Sequence, residues 1–252
     1  MRQEKFVKKY ALLIAVFCFP IKAMAQDVYI SADLGPNFAA SPHDSTGDTH
    51  VHTSTGVTGV AAAGVYLPYG FRAEVEGDIR SNSVRGIDTL RSNGAFSPIS
   101  GVGGSLKQYS AMANVLYDIP VGSSAFSIKP YIGGGIGYSR LNLHGVHGDG
   151  NATIDLAQND TYTGAVDVRY GSAGAVSYQG IVGVAVPIRQ VAHLSVIAEY
   201  RYFGVHHADV PVTRTAANGT MVNGATPVRY NTDDFSTKNN AALVGLRYVF
   251  GK

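Results

Sequence analysis

The chain has 252 residues, 15% of them charged, and a formal net charge of +2. Five of the 20 basic residues and one of the 18 acidic ones fall in the first 25 positions; the rest carries a net charge of −2, without the basic excess expected for a nucleic-acid partner. The one cysteine, Cys18, lies in that same stretch, which excludes a disulfide framework or thiol chemistry in the rest of the chain.

Residues 1–25 read as an export signal. Arg2, Lys5, Lys8 and Lys9 form a basic start, Ala11 to Phe19 an apolar run, and Ala23-Met24-Ala25 the small-x-small pattern of a cleavage site. The apolar run is too short for a membrane-spanning helix, which needs about 20 residues. The expected mature domain is therefore 26–252. No later apolar run approaches helical spanning length. The 30 glycines and 15 tyrosines among few charges favour β-structure.

In chain order, strands are expected at about 27–35, 57–67, 71–81, 107–119, 127–141, 175–186, 193–204 and 239–250. The third shows the period of two most clearly. Phe71, Ala73, Val75, Gly77 and Ile79 alternate with Arg72, Glu74, Glu76, Asp78 and Arg80, so one face is apolar and the other charged. The same contrast sets Ala111, Ala113, Val115 and Tyr117 against Gln108, Ser110, Asn114 and Asp118. It sets Val196, Ala198, Tyr200 and Tyr202 against Ser195, Glu199 and Arg201, and Ala242, Val244, Leu246, Tyr248 and Phe250 against Arg247.

The connections alternate in length. Pro68-Tyr69-Gly70, 120–126 and 187–192 are short, whereas 36–56, 82–106, 142–174 and 205–238 are long and rich in Gly, Ser, Thr, Asn, Asp and His. Long connections on one side and short turns on the other are the pattern of a transmembrane β-barrel. The fold expected is all-β: an eight-stranded antiparallel up-and-down barrel with four long extracellular loops and short periplasmic turns. Its apolar face meets lipid, with Tyr109, Tyr117, Tyr138, Tyr202, Tyr248, Phe71 and Phe250 near strand ends at the water boundaries. The opposite face brings Arg72, Arg80, Lys129, Arg201 and Arg247 together with Asp33, Glu74, Glu76, Asp78, Asp118 and Glu199. In a barrel this narrow the two signs should pair and fill the lumen. Gly133, Gly135 and Gly137 are assigned to the same inner face, making room for bulky neighbours. They are not a dinucleotide loop, because no helical pattern follows them.

Four segments resemble the OmpA-like outer-membrane barrel family, which includes small surface antigens and opacity-type proteins of Gram-negative bacteria. They are Phe71-Arg72-Ala73-Glu74-Val75-Glu76, Asn114-Val115-Leu116-Tyr117-Asp118, Lys129 through Tyr138, and Tyr200-Arg201-Tyr202-Phe203. The resemblance covers most of the strands and none of the loops. It implies insertion by the barrel-assembly machinery, for which the last strand, with Leu246, Tyr248 and Phe250, supplies the aromatic ending. The chain departs from the family's pattern at Leu243, where a polar residue is common, and at Gly251-Lys252 after the aromatic. The resemblance also implies a role in envelope integrity, adhesion or surface display, with outer-membrane lipids and lipopolysaccharide as surroundings and a host or surface ligand at the loops. A narrow porin for small solutes is the alternative.

No catalytic, cofactor-binding or metal site is assigned, and no cofactor is expected. His193-Leu194-Ser195 superficially resembles the nucleophile pair of a lipid A deacylase, but it is placed at a periplasmic turn, away from the leaflet where that chemistry occurs. Seven of the eight histidines (His43, His50, His52, His144, His147, His206 and His207) fall in expected loops, where nothing in the sequence requires them to meet.

Overall fold

Alternating apolar and polar residues with turn residues between them leave one stable solution for backbone hydrogen bonds in lipid, a sheet closed on itself. The computed structural model has that form. It describes residues 27–40, 43–44, 49–90, 96–98, 100–121, 128–155, 161–216, 226 and 228–251. The expected signal, 1–25, lies outside them.

Eight staves build the ring: β1 (Val28–Ala39), β2 (Gly56–Tyr66), β3 (Phe71–Leu90), β4 (Ser100–Asp118), β5 (Lys129–Asp155), β6 (Ser172–Pro187), β7 (Leu194–Ala216) and β8 (Val228–Phe250). Each pairs antiparallel with the next, from β1–β2 (Ile30↔Ala63) and β3–β4 (Val75↔Ala113) to β6–β7 (Val182↔Tyr200). The ring closes where β8 returns to β1, from Val28↔Phe250 to Ala39↔Asn239. Two of the expected short turns join staves at one end, a 3-10 turn at Pro68–Gly70 and a turn at 188–193; most of the third, expected at 120–126, lies outside the described residues.

The staves are longer than the sequence reading at the other end. A barrel strand needs about 9–11 residues to cross the membrane, yet β5 has 27 and β7 has 23. The long connections thus carry strand along much of their length. Thr161–Tyr170 precedes β6 with only Gly171 between, pairs with β5 (Ala152↔Gly164) and with β7 (Val212↔Tyr170), and so continues that stave outward. Residues 43–44 and Thr49–Thr53 likewise fill the gap between β8 and β3 above β1 and β2.

These segments resemble loops in the sequence because of a phase inversion. Within the membrane β7 sends Val196, Ala198, Tyr200 and Tyr202 outward and buries Ile197, Glu199, Arg201 and Phe203. A bulge between Val205 and Ala208 puts His206 and His207 both on the outside, and beyond it Ala208, Val210 and Val212 point in. Water rather than lipid surrounds the outer half, so its apolar residues face the interior, as in a soluble barrel. They join Val84, Leu106, Leu141, Leu143, Val166, Val168, Phe203 and Phe235 in a single buried cluster.

Candidate functional site: the barrel lumen

The outer surface of the lower half has a band of exposed apolar side chains: Ile30, Leu34, Val75, Ile79, Val115, Ile132, Ile136, Val182 and Val244 are each about half exposed or more. A patch that runs round the molecule is far larger than a protein in water tolerates, and it suits contact with lipid tails. Aromatic residues mark its two edges. Phe71 packs on Tyr117 and Tyr248 on Phe250 at the turn end, with centroids 5.1 and 4.9 Å apart. Tyr178 lies 6.3 Å from Tyr202 at the other end, where Tyr109, Tyr138 and Phe38 are also exposed.

Charge lies inside. Of the eleven residues expected in the lumen, Arg72, Arg80, Arg201, Arg247, Asp33, Glu74, Glu76, Asp78 and Glu199 are buried. Asp118 sits partly exposed near the turn end, and Lys129, at the first position of β5, is exposed and not a lumen residue.

Arg201 is the hub. Its Nη1 meets Glu76 Oε2 across the barrel at 2.6 Å, and its Nε meets Glu199 Oε2 on its own strand at 2.7 Å. Glu76 also accepts hydrogen bonds from Asn114 Nδ2 at 2.7 Å and from Gln179 Nε2 at 3.1 Å. Glu74 accepts from Tyr29 Oη at 2.7 Å and from Asn114 at 3.1 Å, and Tyr131 Oη donates to Glu199 at 2.6 Å. Nearer the turn end Arg72 pairs with Asp118 at 2.9 Å and donates to Tyr29 Oη at 3.1 Å. Nearer the outer end Arg80 pairs with Asp78 at 3.0 Å and lies 4.0 Å over the Phe203 ring. Amides close the layer there, with Asn37 Nδ2 donating to Asn82 Oδ1 at 2.7 Å and to Asn239 Oδ1 at 3.1 Å. The apolar cluster lies beyond.

Two charges depart from simple pairing. Arg247 makes no ion pair among the described residues; its guanidinium lies 5.2 Å from the Tyr29 ring centroid and 4.9 Å from that of Tyr131, a cation–π arrangement. Asp33 is buried, and its carboxylate accepts no hydrogen bond among the described residues. The sequence reading missed Tyr29, Tyr131 and Gln179, which share the inward parity of Asp33, Gly133 and Ser177; strand parity was the signal that could have found them. Leu243, apolar where the resemblance led one to expect polarity, also faces inward and packs with Val60 and Ala241.

The inner-face glycines are as expected. A Cβ on Gly137 would lie 2.1 Å from the Ala111 carbonyl oxygen and 2.6 Å from Met112 Sδ. Gly137→Val should therefore destabilise the barrel by about 1–3 kcal/mol through overpacking, read as a lower urea midpoint in refolding titrations. A wild-type midpoint would mean that the lumen is loosely filled.

His193 and Ser195 form no nucleophile–base pair. His193 occupies the 188–193 turn at φ 66° with its ring against Tyr248, 6.3 Å between centroids. Of the loop histidines, His206 and His207 meet edge to face with centroids 3.9 Å apart, and His207 Nδ1 meets Asp234 Oδ2. The side chains of His43, His50, His144 and His147 lie outside those described.

A family model for the outer membrane protein beta-barrel domain matches residues 11–250. A curated relative, named outer membrane protein, of Gluconacetobacter diazotrophicus is 30% identical over 197 residues, covering 77% of this chain and 47% of that one. The chain thus spans about half the length of the curated relative it matches. Among solved structures, Neisserial surface protein A is 15% identical, with 88% and 97% of the two chains covered and a TM-score of 0.46. Outer membrane protein OprG of Pseudomonas aeruginosa is 13% identical, covering 91% and 98%, with a TM-score of 0.48. Outer membrane protease OmpT of Escherichia coli is 10% identical, covering 89% and 97%, with a TM-score of 0.49.

Proposed function

The chain belongs to the outer membrane protein β-barrel family and resides in the outer membrane, and on that basis we propose that it is a closed scaffold that holds its outer segments above the membrane. One observation carries this reading: the Arg201–Glu76 pair spans the lumen and is locked on both sides by Glu199, Asn114 and Gln179. A buried pair whose carboxylate also accepts hydrogen bonds from Asn114 and Gln179 leaves little reason for ions to displace it. The apolar cluster of the outer half adds a second seal.

The role is structural and one of surface display, in envelope integrity or adhesion. Lipopolysaccharide and outer-membrane lipids surround the apolar band, the barrel-assembly machinery inserts the chain, and a host or surface ligand binds the outer end. The reading is non-catalytic because Arg72, Arg80 and Arg201 are engaged by Asp118, Asp78, Glu76 and Glu199 within the lumen rather than facing an open cleft. The narrow-porin alternative is tested directly. Purified protein in a planar bilayer should give no regular conductance steps. Reproducible single-channel steps, absent from mock preparations, would establish the porin.

A further inference from the structure

The outer edge of the apolar band carries an unbalanced charge. Lys107 on β4 and Arg140 on β5 both project outward, alternating with the buried Leu106, Gln108, Ser139 and Leu141. Arg140 pairs directly with Tyr109, and Lys107 pairs with Asn142, so the two cations are diagonal neighbours across the β4–β5 ladder. Residues in that relation lie about 7–8 Å apart, within reach of each other when the side chains are long. Ser81 and Asn142 flank Lys107, Tyr109 and Gly174 flank Arg140, and no residue diagonal to either cation is acidic. Neither makes an ion pair among the described residues, whereas the exposed Arg169, farther out, is paired with Asp167 at 3.0 Å. The outer-face acids Asp209 and Asp234 stand opposite each other on β7 and β8, away from this face.

The height of this pair on the barrel selects its ligand. Tyr109 and Tyr138 belong to the aromatic edge. Tyr138 lays its phenol over Gly174, where a Cβ would collide with it, and so reaches the level of Arg140. Aromatic rings at such an edge lie among lipid headgroups. Toward the turn end the same face continues as Ala113, Val115 and Ile136, all exposed to lipid tails. An anion seated on Lys107 and Arg140 is therefore held where the polar head of a lipid meets its chains. Arg140 Nη2 donates to Ser172 Oγ at 3.2 Å. That bond steadies the guanidinium and leaves its other N–H groups free for a two-donor grip on a phosphate.

We propose that Lys107 and Arg140 form a binding site for a phosphate of the outer-leaflet lipid, the lipid A phosphate of lipopolysaccharide, with Tyr109 and Tyr138 bordering it. The inference rests on the reading above that the outer end of the barrel stands in lipopolysaccharide, and it adds where, and through which group, one lipid is held. Lys107 acts as a mobile point charge and Arg140 as a planar clamp. Neighbouring like charges repel, and an anion between them turns that cost into attraction.

The test uses the full chain refolded in detergent, with native mass spectrometry counting bound lipid. The probes are lipid A carrying both phosphates, the same lipid after dephosphorylation, and inorganic phosphate as a competitor. Each variant is first checked for heat-modifiable migration on gels. The wild type should bind its first phosphorylated lipid about tenfold or more tightly than the dephosphorylated one, the worth of a charge-assisted contact. Lys107→Gln/Arg140→Gln should lose that preference, and Lys129→Gln, at the turn end, should keep it. An unchanged preference in the double variant would overturn the proposal. So would an equal loss in Lys129→Gln, which would mean diffuse attraction to positive charge. Inorganic phosphate binding as tightly as the lipid would assign the site to the free anion and overturn it as well. Should the double variant fail to fold, the wild type decides. Binding both lipids alike would sink the site alone, whereas binding neither would sink the lipopolysaccharide reading with it. The conductance of the same preparation judges the closed scaffold separately.

Discussion

Replacing Arg201 with alanine is expected to lower the stability of the refolded barrel by about 3–5 kcal/mol, the cost of stranding buried partners of a lost charge. Arg201 is 1% exposed, and its removal leaves Glu76 and Glu199 without their cation. Urea titrations of refolding into lipid vesicles measure the effect. The diagnostic form is a double-mutant cycle. Arg201→Ala with Glu76→Ala should cost less than the two single changes together, by about 0.5–3 kcal/mol, because the second change removes a stranded carboxylate. The cycle with Glu74→Ala should lie nearer to additive, since Glu74 is held by Tyr29 and Asn114 rather than by an ion pair to Arg201. Additive costs at Glu76 would mean that water screens the lumen, and the packed scaffold would be abandoned.

The second large effect lies on the opposite face. Val75 is 65% and Val182 54% exposed, midway between the two aromatic edges. Lysine at either position should cost about 2–4 kcal/mol, the penalty for a cation at the bilayer midplane. Val196→Lys should cost less, because Val196 is two residues from the start of β7 and pairs with Val186 near the turn end. The measurement is again refolding stability in vesicles of defined thickness. If Val75→Lys were neutral while Val196→Lys was severe, the membrane would sit lower on the barrel than the aromatic edges mark.

Much of the fold was legible in the residues because lipid imposes a strict rule. Within the membrane every second residue must be apolar, so Phe71 to Arg80 announces a strand, its two faces and its solvent in ten positions. The alternation assigned the lumen face of β3, β4, β7 and β8, and it put Glu76 and Arg201 on facing walls. Lys129 was misjudged because parity says which side a residue takes, not how near the strand end it lies. The outer staves were passed over although Val166, Val168 and Tyr170 alternate with Asp167 and Arg169, and Val210 and Val212 flank Pro211. Their period is the same, but the apolar face has changed sides, and polar residues between them resemble loop composition.

Local and periodic features were thus readable from the residues alone: strand positions within the membrane, the facing of each side chain and the closure of eight strands into a barrel set in lipid. Register between strands distant along the chain was not, and it came from the folded molecule. It selected Glu76 and Glu199, rather than Glu74, for Arg201, and left Arg247 over tyrosine rings. Strand pairing is fixed by hydrogen bonds that carry no residue identity, and a shift of one residue exchanges every partner. Period alone cannot specify which residues meet.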